Sequence, residues 1–176
     1  MAEQPLLLVD VDGVLNPTGR QRGDFRTYDC VTSGTLYKVR LNRTHGTWLL
    51  TLAQNTGAAL IWATTWEDAA NDWIGPPLGL PTLPVIPMPP SAPPARGRGF
   101  GEMFKTPYVA DYVAGRPFVW FDDAVSEADE EYLRHRSDVG EFLLVQVSAE
   151  RGLTRDDVDR AGAWLGDRPR ERRGSG

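Results

Sequence analysis

Asp10 and Asp12 stand two residues apart directly after the apolar run Leu6-Leu7-Leu8-Val9, with Gly13 behind them. Two carboxylates so placed beyond a strand end repel each other unless a cation or a shared proton lies between them. A hard divalent ion is the simplest remedy, and magnesium prefers such oxygen sites. A bare aspartate pair of this spacing is common in turns by chance, whereas an apolar strand followed by DxDGV is much more specific. Thr64 and Thr65 close a second apolar run, AALIWA, and can point a hydroxyl and backbone amides into the same crevice. Lys105 precedes a helical segment, and Asp122 and Asp123 follow a third run, PFVWF. Alone, each has an ordinary explanation: a threonine at a strand end caps a helix, and a lone lysine decorates a surface. The adjacent acids again call for a cation or a lysine nearby.

The elements that must position these residues alternate between strand and helix. Leu6–Val9, Ala58–Ala63, Pro117–Phe121 and Phe142–Val147 read as buried strands, short apolar runs bounded by polar or glycine residues. Helices are expected over Thr47–Asn55, stopped by Gly57, and over Glu67–Ile74, Thr106–Val113 and Glu127–His135. A last helix runs to Leu165, opened by the capping box Thr154-x-x-Asp157. Thr27–Leu41, turning at Ser33-Gly34, reads as a β-hairpin. Nine of the 14 prolines fall between Pro76 and Pro94, a density that excludes regular helix there, although Leu83–Ile86 suits a short strand. The fold class is therefore α/β: a three-layer, Rossmann-like parallel sheet with helices on both faces, and a small hairpin flap after the first strand. In such sheets ligands bind beyond the carboxyl ends of the strands, where the reactive residues fall.

The 176 residues, 41% hydrophobic and 24% charged, suit one globular domain over 1–166, with a flap and its connection at 13–48 and a Pro/Gly-rich loop at 75–101. Residues 167–176 (DRPRERRGSG) read as a flexible basic tail. The one cysteine, Cys30, excludes an intramolecular disulfide and fits a reducing cytoplasm. Neither a signal peptide nor a membrane span is expected. The net charge of −5 opposes attraction of nucleic acid by the whole chain, but residues 13–48 hold six basic and two acidic residues, a local +4 that leaves −9 elsewhere. Either a solvated hairpin or an anion-facing flap accounts for this. His45 and His135 have no partner motif and read as structural or solvent-exposed.

In order, strand-DxDGV, strand-T, K and strand-DD resemble the four motifs of the haloacid dehalogenase-like (HAD) superfamily, over Leu6 to about Ser126. The resemblance implies a magnesium-dependent phosphatase in which Asp10 attacks phosphorus and Asp12 serves as acid and then base. It further implies that Thr64 and Lys105 bind phosphoryl oxygens, with Lys105 also neutralising the acids. Magnesium would be held by Asp10, the backbone carbonyl of Asp12 and a motif-four acid; Asp123 is favoured as that ligand and Asp122 as the partner of Lys105. An acid at position 12 separates phosphatases and phosphomutases from the family's dehalogenases. The gaps between motifs leave little room for a large cap, so a nearly capless member is implied. Open sites of this kind admit large substrates such as nucleic-acid ends. DVDGVLN, WATTWE with Asn71, the proline-rich connection and WFDD are similar to the phosphatase-like domains of bacterial RNA-repair proteins. Thr65, Arg20, Arg22 and Arg26 are the expected substrate-binding residues, the arginines because a planar guanidinium binds phosphate through two bonds. A metabolite phosphatase or phosphotransferase with a site closed by oligomerisation, and a silent interaction module, remain as alternatives. A signalling receiver domain fits less well, because the strand AALIWA ends in threonines rather than in a phosphorylated aspartate. Sequence leaves the oligomeric state open.

Overall fold

The computed structural model describes residues 3–89 and 99–166, so the expectations for the basic tail and for residues 90–98 of the proline-rich connection lie outside the described residues. The chain forms β1 (Leu6–Val9), a hairpin of β2 (Phe25–Thr32) and β3 (Thr35–Asn42), α1 (Arg43–Thr56) and β4 (Ala59–Trp62). Then follow α2 (Gly75–Leu78), α3 (Thr106–Val113), β5 (Phe118–Asp122), α4 (Glu127–His135), β6 (Phe142–Gln146) and α5 (Arg155–Gly166). The main sheet has the order β4-β1-β5-β6 with all pairs parallel.

Strand alternation splits the apolar side chains between two cores. Leu7, Val9, Leu60, Trp62, Val119 and Phe121 pack with Leu49 and Leu52 of α1 and Val158, Ala161 and Leu165 of α5. Leu6, Leu8, Ile61, Phe118 and Trp120 face the opposite way, against Val109, Ala110 and Val113 of α3 and Tyr132 and Leu133 of α4. Helices thus cover both faces, and the three-layer expectation holds. β1 is buried along its whole length, as its unbroken apolar run requires. Truncating Leu7 or Leu8 to alanine would cost about 2–5 kcal/mol.

The hairpin is a separate two-stranded sheet turning at Ser33 (φ 50°) and Gly34 (φ 75°), the pair of positive φ values that a tight two-residue hairpin turn needs. Its Cys30, Val39 and Leu41 are buried in the first core, so Cys30 is a packing residue. His45 is buried as well, with its ring edge-on to Phe25 and tilted over Trp48.

Four departures from expectation stand out. α1 begins four residues earlier than Thr47, because Asn42 caps it by accepting the Thr44 N–H at 2.9 Å. The expected helix over Glu67–Ile74 is instead a turn leading into a π-helical segment, Ala70–Ile74. α2 carries Pro76 and Pro77 in its first turn, where amides have no intrahelical acceptor and proline costs little, so the proline-rich stretch does begin in helix. Leu83–Ile86 yields a single bridge, Val85 to Trp62, not a strand. Among the described residues no helix is long and apolar enough to cross a membrane.

Candidate active site at the carboxyl edge of the sheet

Because β4, β1 and β5 are parallel neighbours, their carboxyl ends share one edge. Asp10 follows β1, Thr64 lies two residues beyond β4, and Asp122 ends β5. Asp10 is 5% exposed and Asp122 fully buried. Between them lies Lys105, whose Nζ donates to Asp10 Oδ2 at 2.6 Å and to Asp122 Oδ2 at 2.7 Å. The second oxygen of each acid accepts a backbone amide, Asp10 Oδ1 from Val11 and Asp122 Oδ1 from Ala124, both at 2.8 Å. One ammonium faces two buried carboxylates. Burial, and then the charge of Asp122, raise the Asp10 pKa to about 7 against the opposing pull of Lys105. Burial pulls the Lys105 pKa down, but the two carboxylates outweigh it and raise it.

A residue that none of the four motifs includes, Asp129, holds Lys105 in place. Asp129, fully buried, accepts the Met103 N–H at 2.8 Å and the Thr106 hydroxyl at 2.5 Å, gripping the chain on both sides of the lysine. Its other oxygen accepts the Ser126 amide and hydroxyl, closing the capping box of α4. The Ser126-x-x-Asp129 spacing was the available signal.

Asp123 is half-buried, and desolvation followed by the charge of Asp122 raises its pKa. Asp10, Asp122 and Asp123 each offer an oxygen, all within 4.8 Å of one another. Gly13, at φ 77°, makes room for this: a Cβ there would sit 2.4 Å from the Asp123 carboxyl carbon. Three hard oxygen donors at this spacing, with more negative charge than Lys105 offsets, fit a magnesium ion.

Asp12 is exposed and its carboxylate lies apart from this trio, accepting Asn16 Nδ2 at 2.8 Å and the Trp66 indole N–H at 2.9 Å. Asn16 in turn accepts the Arg40 amide at 2.9 Å, which ties the Asp12 loop to the hairpin. Thr64 is fully buried, and its Oγ1 accepts the Trp66 amide at 3.3 Å. Thr65 is exposed and lines a groove of about 220 Å³ with Asp12, Tyr37 and Trp66. A second depression of about 390 Å³ opens on the other side, lined by Asp123, Gln146, Ser148, Arg151 and Thr154. Arg151 did not stand out in the sequence. Arg20, Arg22 and Arg26 are exposed, and their side chains make no hydrogen bond or ion pair among the described residues. His135 lies on α4 against Phe100, away from the acids.

The chain matches no curated protein and no solved structure. It does match, over residues 6–158, the family model described as the HAD domain in Swiss Army Knife RNA repair proteins. That span runs from β1 into α5 and takes in every residue of the acid–lysine cluster. The family points to a phosphatase-type or RNA-repair-related activity, and the aspartate cluster is compatible with magnesium. On that match, with the parallel sheet and the motifs at its carboxyl edge, the chain belongs to the family of HAD domains of Swiss Army Knife RNA repair proteins.

Proposed function

We propose that the protein is a magnesium-dependent phosphomonoesterase working through an aspartyl-phosphate, with residues 1–166 as one catalytic domain and a phosphorylated nucleic-acid or nucleotide end as substrate. The observation that carries this is the buried cluster in which Lys105 bridges Asp10 and Asp122 beside Asp123. An Asp10 oxygen attacks phosphorus, the P–O bond to the leaving group breaks, and Asp12 gives that oxygen its proton. Asp12 then takes a proton from water as the water attacks phosphorus, the acyl-phosphate bond breaks, and inorganic phosphate leaves with the Asp10 carboxylate restored. Thr64 and Lys105 orient the phosphoryl oxygens, and Lys105 carries charge that builds up on them. Asp10, Asp122, Asp123 and the backbone carbonyl of Asp12 would hold magnesium, which when bound neutralises negative charge on nucleophile and phosphoryl group.

The preference for a nucleic-acid end rests on the family, on the exposed Arg20, Arg22 and Arg26, and on a site flanked by grooves and a small hairpin. The test is magnesium-dependent phosphate release from oligonucleotides phosphorylated at either end, from nucleotides and from sugar phosphates. Asp10→Asn should abolish turnover of all of them; normal turnover in that variant rejects the mechanism. Asp12→Asn should lose roughly 10²–10⁴-fold on esters with poor leaving groups.

A further inference from the structure

The groove beside Asp12 has a composition that phosphate chemistry alone does not explain. Tyr37 stands on β3 with 45% of its surface exposed. Its ring lies 5.6 Å from that of Trp66, at an interplanar angle of 63°, an edge-to-face contact. Trp66 is itself fixed, because its indole N–H donates to Asp12 at 2.9 Å. Thr32, Thr65, Asn16 and Lys38 line the same space of about 220 Å³, with the Lys38 ammonium held by Asp29 at 2.6 Å. Lys38, the cation in this lining, is already paired with Asp29, and what remains is an aromatic ring on a paired strand, braced at its edge and bordered by small polar side chains. It suits a flat ring with polar edges.

We propose that this groove seats the nucleobase of the nucleoside that carries the phosphate, stacked on Tyr37 with Trp66 as its wall and the threonine hydroxyls at its edge. The inference rests on the phosphomonoesterase reading and names the substrate class of that site. Stacking accepts any base, so the subsite selects nucleoside phosphates over base-free sugar phosphates without choosing a sequence. The wall is joined to the proposed acid through the indole hydrogen bond, so a seated base lies next to the residue that protonates the leaving oxygen.

The experiment measures kcat/KM for nucleoside 3′- and 5′-monophosphates and for ribose 5-phosphate in the parent, Tyr37→Ala, Tyr37→Phe and Leu36→Ala. Leu36, on the other face of β3, is the control. The parent should prefer a nucleotide, and Tyr37→Ala should reduce that preference about 5- to 140-fold, the worth of one base stacked on an aromatic ring. Tyr37→Phe and Leu36→Ala should keep it. A phosphorylated oligonucleotide that loses as much in Tyr37→Ala supports a polymer end as the source of the base, and a loss confined to mononucleotides supports a free nucleotide. Equal turnover of ribose 5-phosphate and nucleotide by the parent, or a preference that survives Tyr37→Ala, overturns the subsite while the phosphatase reading stands. Should no phosphomonoester be hydrolysed, that reading falls and calorimetric titration decides the subsite. Tighter binding of nucleotide than of ribose 5-phosphate, abolished in Tyr37→Ala, supports it, and equal affinities overturn it.

Discussion

The acid–lysine cluster and the hairpin border the same site under opposite physical rules. In the cluster every charged group except Asp123 is nearly or wholly buried, and Lys105 faces two carboxylates. On the hairpin Arg26, Asp29 and Lys38 are exposed and Arg40 is half-buried, and the Lys38–Asp29 pair at 2.6 Å leaves both side chains more than half exposed. Such a surface pair is worth about 0–1 kcal/mol, whereas removing one partner from a buried pair costs about 3–5 kcal/mol. On the proposed reading, chemistry is therefore tied to the integrity of the fold, while recognition falls to a surface that can change at little cost.

Lys105→Met tests the first half of that contrast most severely, since it leaves two buried carboxylates without a counter-charge. Urea unfolding should show a loss of about 3–5 kcal/mol at pH 7 in EDTA. A loss below about 1 kcal/mol would mean that the carboxylates are not buried together.

His45, which packs on Phe25 of the hairpin from α1, should respond to pH in the opposite sense from the cluster. Burial lowers the His45 pKa to about 4, and its Nδ1 has no hydrogen-bond partner among the described residues. A depressed histidine binds fewer protons folded than unfolded between about 4 and its usual 6.5, so its contribution is present above pH 6.5 and is lost as pH falls toward 4. This predicts a loss on the order of 2–3 kcal/mol over that window in the parent, absent in His45→Leu, when stability is measured by urea titration at each pH. Parallel pH profiles for parent and variant would refute it.

Asp129→Ala should cost about 1–3 kcal/mol through unsatisfied donors, and should lower kcat through a misplaced Lys105. Rescue of kcat by Asp129→Asn, which keeps an acceptor, separates this positioning role from general damage. At the small end, replacing Arg20, Arg22 and Arg26 together by alanine should change stability by no more than about 0.5 kcal/mol per site. The same variant should flatten the salt dependence of oligonucleotide kcat/KM, by roughly one unit of log–log slope for each phosphate that an arginine no longer neutralises. An unchanged slope would remove the arginines from recognition.

Most of the cluster was legible because buried parallel strands write continuous apolar runs, and Asp10, Thr64 and Asp122 lie where those runs end. The helices α3 and α4 were readable to the residue, their boundaries marked by Pro107 and by Ser126. What escaped depends on pairings that no local pattern encodes. Asp129 reaches Met103 across 26 positions, and Trp66 reaches Asp12 across 54. α2 was hidden by a density of prolines whose place in a first turn makes them harmless there. The burial of His45 turns on where β2 brings Phe25, which spacing within α1 does not reveal.

The central claim is that the cluster holds more negative charge than Lys105 offsets and so needs a cation where Asp10 attacks. Scanning calorimetry of parent and Asp10→Asn, in EDTA and in magnesium, tests it most directly. The Asp10 carboxyl, raised from 3.8 to about 7, holds its proton in the fold when the unfolded chain has lost it, so its cost to stability grows as pH rises from 3.8 to about 7. In EDTA at pH 8 Asp10→Asn should therefore melt higher than the parent, by about 2–4 °C per kcal/mol relieved, with the gap closing toward pH 4. Magnesium should raise the parent's Tm at pH 8 and move the variant's much less. A variant that melts no higher than the parent in EDTA and gains as much from magnesium would contradict the account.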